Sequence, residues 1–124
     1  MTTTITTPEL DFNAKEGARI AKERAQDAAD AADRKTDGEW SGLARTALID
    51  YLKFIGDAGF MAEDLRKYAY EVKKIPMPPE ERAWGAIINW ARQIGLIKVA
   101  GYGKAKDKKV HGSITTIWKR NLPL

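Results

Sequence analysis

The chain has 124 residues and a mass of 13.8 kDa, the size of one domain with a modest core. Its composition is ordinary for a globular protein, and no apolar run is long enough to span a membrane. The absence of cysteine excludes disulfides, a cysteine nucleophile and thiolate metal sites, and the single histidine, His111, argues against a zinc site or serine–histidine chemistry. We therefore expect a small soluble intracellular protein with no catalytic residues, no metal and no cofactor.

The net charge of +4 is unevenly distributed along the chain. Residues 1–62 carry 8 basic and 11 acidic side chains, a net charge of −3, whereas residues 63–124 carry 13 and 6, a net charge of +7. Residues 92–124 hold eight Lys or Arg against one acidic residue, Asp107. Such a concentration of positive charge is typical of a protein that binds an anionic partner, above all nucleic acid, although a solvated surface accounts for it equally well.

The chain begins with a seven-residue segment, MTTTITT, that we expect to be a flexible arm. Residues 8–37 then read as one long N-terminal helix that ends before Gly38. Its alanines at positions 14, 18, 21, 25, 28 and 32 alternate in spacings of four and three, which makes a heptad seam of alanine. We expect this seam to dock, either on the second half of the chain around Trp40 and Leu43 or on a second copy as a homodimer.

Residues 38–124 predict a domain of three helices and a hairpin. Apolar residues recur at helical spacing in residues 39–55 and again in residues 62–73, and the prolines of IPMPP end the second of these helices. A further helix is expected over residues 79–94, with Pro79 in its first turn and Gly95 just after its end. Two runs of strand-forming residues, 97–102 and 110–118, complete the pattern with a lysine-rich tip between them. The fold class is therefore mainly α with a small β-hairpin.

Three helices followed by a hairpin with a basic tip is the element order of a winged helix-turn-helix, in which residues 79–94 would be the recognition helix. Helical geometry places Trp84, Ile87, Ile88 and Ala91 on its core face. The opposite face combines small residues with side chains that can pair with guanine and adenine edges, and it is the candidate base-contacting surface: Arg82, Gly85, Ala86, Asn89, Arg92 and Gln93. Glu80 and Glu81 at the start of this helix would repel phosphates.

The hairpin would form the wing and contact the DNA backbone without sequence preference. Its candidate phosphate-binding residues are Lys98, Lys104, Lys106, Lys108, Lys109, Lys119 and Arg120. We interpret Tyr102 as a residue that packs at the hairpin shoulder, and His111 as a turn or hydrogen-bonding residue.

The stretch from Phe60 to Trp118 resembles small winged-helix proteins encoded by bacteriophages and prophages. The motifs that carry the resemblance are FMAEDLR, RAWGAI, ARQIGLI, a glycine–tyrosine pair and HGSITTIW, with the matching residues Phe60, Asp64, Leu65, Arg66, Arg82, Ala83, Trp84, Gly85, Ala91, Gly95, Leu96, Ile97, Gly101, Tyr102, His111 and Trp118. Met61 stands where such proteins often carry Thr or Ser, so the usual helix cap is missing. The resemblance implies a phage or prophage origin and a place in the cytoplasm of a bacterial host.

The favoured function is non-enzymatic binding of double-stranded DNA, in regulation, replication or recombination. The alternative is a protein-interaction module of the same fold, such as a phage factor that captures or inhibits a host protein. The acidic start of the recognition helix, the flanking Trp90 and the alanine seam favour that alternative.

Overall fold

A computed structural model describes residues 8–36, 38–104 and 114–121 of the chain. Four helices are followed by two strands: α1 (Pro8–Lys35), α2 (Trp40–Ile55), α3 (Ala62–Glu71), α4 (Ala83–Gln93), β1 (Ile97–Lys104) and β2 (Ile114–Arg120). This arrangement confirms the predicted class, mainly α with a small antiparallel hairpin. None of the helices in the described part is long and apolar enough to cross a membrane.

The core lies where α2, α3 and α4 meet, around two tryptophans that are almost fully buried. Trp40 on α2 and Trp84 on α4 meet edge to face, with ring centroids 5.3 Å apart. Both indole N–H groups have acceptors: Trp40 donates to the backbone oxygen of Pro76 at 3.0 Å, and Trp84 donates to the hydroxyl of Tyr70 at 2.7 Å. The polar edges of both rings are therefore satisfied without water.

Helix α1 shares this core, because Ala25, Ala28, Ala29 and Ala32 belong to the same buried cluster as the tryptophans. It packs chiefly against α4 and less extensively against α2. Its end is attached to the start of α2 by Asp33, whose carboxylate accepts hydrogen bonds from the backbone N–H and the hydroxyl of Ser41, both at 2.7 Å. Asp33 thus caps α2 from the preceding helix, since Glu39 makes no side-chain cap.

Helix α4 begins four residues later than the expected range of 79–94. The N–H groups of Ala83, Trp84 and Gly85 bond to carbonyls only three residues earlier, so residues 80–82 form tight turns before the α-helix starts. Its other end is as expected: Gly95 has φ +83°, and the Leu96 N–H bonds to the Ala91 carbonyl at 2.9 Å.

Helix α3 starts without a Ser or Thr cap, but a side chain of its first turn accepts a hydrogen bond from the residue before the helix. The Asp64 carboxylate accepts a hydrogen bond from the Met61 N–H at 2.9 Å. This bond is the acidic half of a capping box. It partly compensates for the hydrogen bond that a Ser or Thr at position 61 would make.

The two strands form an antiparallel ribbon that is attached to the helices through β2. Phe60, just before α3, exchanges two backbone hydrogen bonds with Trp118, at 2.8 and 2.7 Å. A Cβ at Gly59 would lie 2.9 Å from a methyl carbon of Ile117, so a side chain there would force Ile117 or the backbone to shift. Phe60 therefore forms a one-residue antiparallel bridge to β2, on the side away from β1.

Candidate nucleic-acid interface

The structure confirms the core face of α4, because Trp84, Ile87, Ile88 and Ala91 are all buried. The opposite face is only partly open. Arg82, Gly85, Arg92 and Gln93 are exposed and Asn89 is half-buried. Ala86, expected on the exposed face, retains only 9% of its surface. The prediction for Ala86 was wrong because helical geometry identifies the face opposite the core but not that a second helix covers it.

That second helix is α1, which runs antiparallel along α4. One groove between them brings Ala18 and Ala21 beside Arg92, and another, near the far end of the contact, brings Ala28 and Ala31 beside Arg82. Between these grooves the helices are closest at Gly85, where an added Cβ would lie 3.2 Å from the Cβ of Ala25. Gly85 nevertheless stays exposed beside α1, so α1 covers only part of this face of α4.

The alanine seam therefore docks within the chain, and on α4 more than on the expected surface around Trp40 and Leu43. Only its second half is used: Ala25, Ala28 and Ala32 are buried, whereas Ala18 and Ala21 are exposed. The side chain of Ala14 lies outside the described residues. Each buried methyl is worth about 0.8 kcal/mol, so these three alanines and the neighbouring buried Ala29 contribute roughly 3 kcal/mol to holding α1 in place.

The two acidic residues at the start of α4 are engaged in ion pairs. Glu80 pairs with Arg82, and Glu81 pairs with Arg66 of α3, both at 2.9 Å. Their negative charge is thereby offset locally, although Arg82 is tied to Glu80 rather than directed at a ligand.

The predicted phosphate-binding residues that the structure describes all lie on the ribbon, and they are Lys98, Lys104, Lys119 and Arg120. Lys98 on β1 lies directly opposite Lys119 on β2, and Lys104 is exposed further along β1. Like charges directly opposite on neighbouring strands are destabilising. Lys106, Lys108, Lys109 and His111 lie outside the described residues.

Arg120, at the base of the ribbon, is occupied by an acidic partner. Its guanidinium nitrogen lies 3.0 Å from a carboxylate oxygen of Asp57, in the turn after α2. The hydrogen bond from Arg120, followed by its charge and that of nearby Lys119, lowers the pKa of Asp57. Asp57 therefore offsets part of the positive charge at this end of the ribbon.

Two features of the surface were missed at the sequence level. The ring of Phe54 is 75% exposed and stacks on Tyr68 of α3, with centroids 5.9 Å apart. The guanidinium of Arg45 on α2 lies 4.8 Å from the ring centroid of Trp90 on α4. Both pairs join residues of different helices, so helical spacing within either segment carries no sign of them.

Among the residues that the structure describes, no group of three or more acidic or histidine side chains is placed to hold a metal ion. The predicted recognition face and the ribbon together form the candidate interface. Helix α1 covers that face at Ala86 and leaves Arg82, Gly85, Arg92 and Gln93 exposed. No protein-family model matches the chain, and comparisons with curated proteins and with solved structures find no match.

Proposed function

We propose that the chain is a non-enzymatic DNA-binding protein with a winged helix-turn-helix arrangement, of the kind that bacteriophages and prophages encode. The element order supports this proposal, because α2, α3 and α4 precede a two-stranded ribbon. The bonds between Phe60 and Trp118 also support it, since they attach the ribbon to the helices as a wing. The connection between α3 and α4, residues 72–82, is longer than the turn of a simple helix-turn-helix.

The observation that carries the proposal is the cross-strand pair of lysines, Lys98 and Lys119. Two ammonium groups on adjacent strands repel each other, and Asp57, which is already paired with Arg120, offsets only part of their charge. A DNA phosphate would supply a further anion and would release counterions on binding. Lys104 extends the same charge along β1.

Fluorescence anisotropy with a mixed-sequence duplex at several salt concentrations tests the proposal. The double variant K98A/K119A should flatten the dependence of log affinity on log salt by about 1.8 units, at roughly 0.9 for each phosphate that is no longer neutralised. The double variant K53A/K67A, on α2 and α3, removes the same charge elsewhere and should leave the slope unchanged. No binding at low salt, or equal slopes for both variants, would contradict the proposal.

Protein interaction is the second candidate function, and the exposed ring of Phe54 favours it. Phe54 stacks on Tyr68, and the side chain of Val72, just after the helix that carries Tyr68, is 62% exposed. Exposed aromatic residues on rigid helices are frequent anchors of protein interfaces. A nuclease-treated bacterial lysate should then yield one stoichiometric partner that the F54A variant does not bind. The variant I94A removes a different exposed apolar side chain and should retain that partner.

A further inference from the structure

The contact between α1 and α4 is built almost without side-chain bulk. On α1 it uses alanines, and on α4 it uses Gly85 and Ala86, with Ile88 lining the groove beside them. Within the described residues, no side-chain hydrogen bond or ion pair joins α1 to α4. The polar attachment of α1 is at its last turns, where Asp33 bonds to Ser41.

Helix α1 therefore has a tethered end at Asp33, and among the described residues its middle packs on α4 without a hydrogen bond or ion pair to it. The tethered end lies beside Gly38, which has φ +85°, a conformation that glycine adopts readily. Toward its start, α1 passes beyond the covered part of α4, since Ala18 and Ala21 are exposed. Among the described residues, separation that begins beside Ala18 and Ala21 breaks alanine and glycine contacts and leaves the attachment at Asp33 intact.

The face of α4 beneath α1 is suited to contact with DNA. Gly85 and Ala86 allow a close backbone approach, and Asn89 and Arg92 have the donors and acceptors that read adenine and guanine edges. The bulky residue Trp84 packs on Trp40 and Tyr70, so its contacts do not depend on α1. Of the larger α4 side chains beside this contact, Ile88 would become more exposed.

We infer that α1 is a displaceable cover that controls access of DNA to α4. This inference rests on the proposed function. With α1 in place, the ribbon alone contacts phosphates and binds without sequence preference. When α1 leaves α4, the exposed face enters the major groove and adds sequence-dependent contacts.

A disulfide between α1 and α4 tests the cover, because the natural chain has no cysteine. The Cβ positions of residues 25 and 85 are 3.2 Å apart, and a shift of a few tenths of an ångström reaches the disulfide range. The double variant A25C/G85C is compared in oxidised and reduced form, with A25C and G85C alone as controls for the oxidant. Circular dichroism and a non-reducing gel establish that each sample is folded and monomeric.

The readouts are affinity for duplex DNA and selection from a random duplex library. The probe is the sequence that the wild type prefers, and G85C alone measures what a cysteine at this base-contacting position costs. Relative to that control, the reduced double variant should bind the probe equally well, and the oxidised form should bind it at least tenfold more weakly and keep only salt-sensitive binding. Equal affinities and the same enriched sequence in both forms would overturn the cover while leaving DNA binding intact. Absence of binding in both forms and in the wild type would overturn the proposed function as well.

A second measurement follows the displacement directly. Ala25 is 8% exposed, so the thiol of the single variant A25C should react slowly with a soluble disulfide reagent. Addition of the selected duplex should accelerate that reaction at least fivefold. An unchanged rate with saturating DNA would overturn the inference.

Discussion

Gly85 and Ala25 meet at the closest approach of α4 and α1. A Cβ on Gly85 would lie 3.2 Å from the Cβ of Ala25, tighter than an ordinary contact. Gly85 is the third residue of α4, and a glycine inside a helix lowers stability by up to about 1 kcal/mol relative to alanine. At position 85 that cost is offset by the close packing of the two helices.

Alanine substitution at two helical glycines should therefore have different effects. Gly42 on α2 has open space around it, so G42A should raise the free energy of unfolding by about 0.5–1 kcal/mol. G85A gains the same helix propensity but crowds Ala25, so its stability should rise less or fall. Urea denaturation of both variants measures the difference. An equal gain in both would contradict the close contact.

Removal of the Tyr70 hydroxyl should destabilise the core. Y70F leaves the indole N–H of Trp84 without its acceptor, and an unsatisfied buried donor costs about 1–3 kcal/mol. The matched control is Y102F, because Tyr102 is 69% exposed and its hydroxyl should contribute within about 0.5 kcal/mol. Thermal unfolding followed by tryptophan fluorescence compares the two. Equal melting temperatures would show that the bond adds nothing.

The cross-strand pair of Lys98 and Lys119 should lower the stability of the ribbon and increase its affinity for DNA. K98E places a carboxylate opposite Lys119, and an opposite-charge cross-strand pair should stabilise the ribbon by about 0.2–1 kcal/mol. The same change should weaken DNA binding and its salt dependence, because it removes one ammonium group that neutralises a phosphate. K67E on α3 alters the net charge identically and should leave DNA binding closer to the wild type. A K98E variant that binds DNA as well as K67E does would argue against the ribbon as the contact surface.

The ion pair at the base of the ribbon predicts a pH effect of defined sign. Because Arg120 lowers the pKa of Asp57 in the folded state, the stabilisation is present above the ordinary pKa of aspartate. It disappears as the pH falls through the lowered value. In R120Q the pKa of Asp57 should move up toward the ordinary value, as carboxyl ¹³C NMR titration would show. An unchanged titration would mean that Arg120 is not the cause of the shift.

The local structure of this chain could be predicted from short-range chemistry. Apolar spacing identified the core face of α4, with Trp84 and Ile87 buried as expected, and Gly95 marked the end of that helix. These features depend on residues within one or two turns of each other. The start of α4 was less predictable, because residues 80–82 form turns that Pro79 and two glutamates had suggested would be helical.

The sequence by itself determined that α1 has a face of alanine that another helix can approach closely. It left open whether that surface is another copy, the region around Trp40, or α4. The tertiary structure places the second half of that face, Ala25 to Ala32, chiefly on α4, because packing depends on which surfaces are brought together by the turns between helices. The same packing buries Ala86 and brings Ala25 to Gly85, so it covers a face that periodicity alone had placed in solvent.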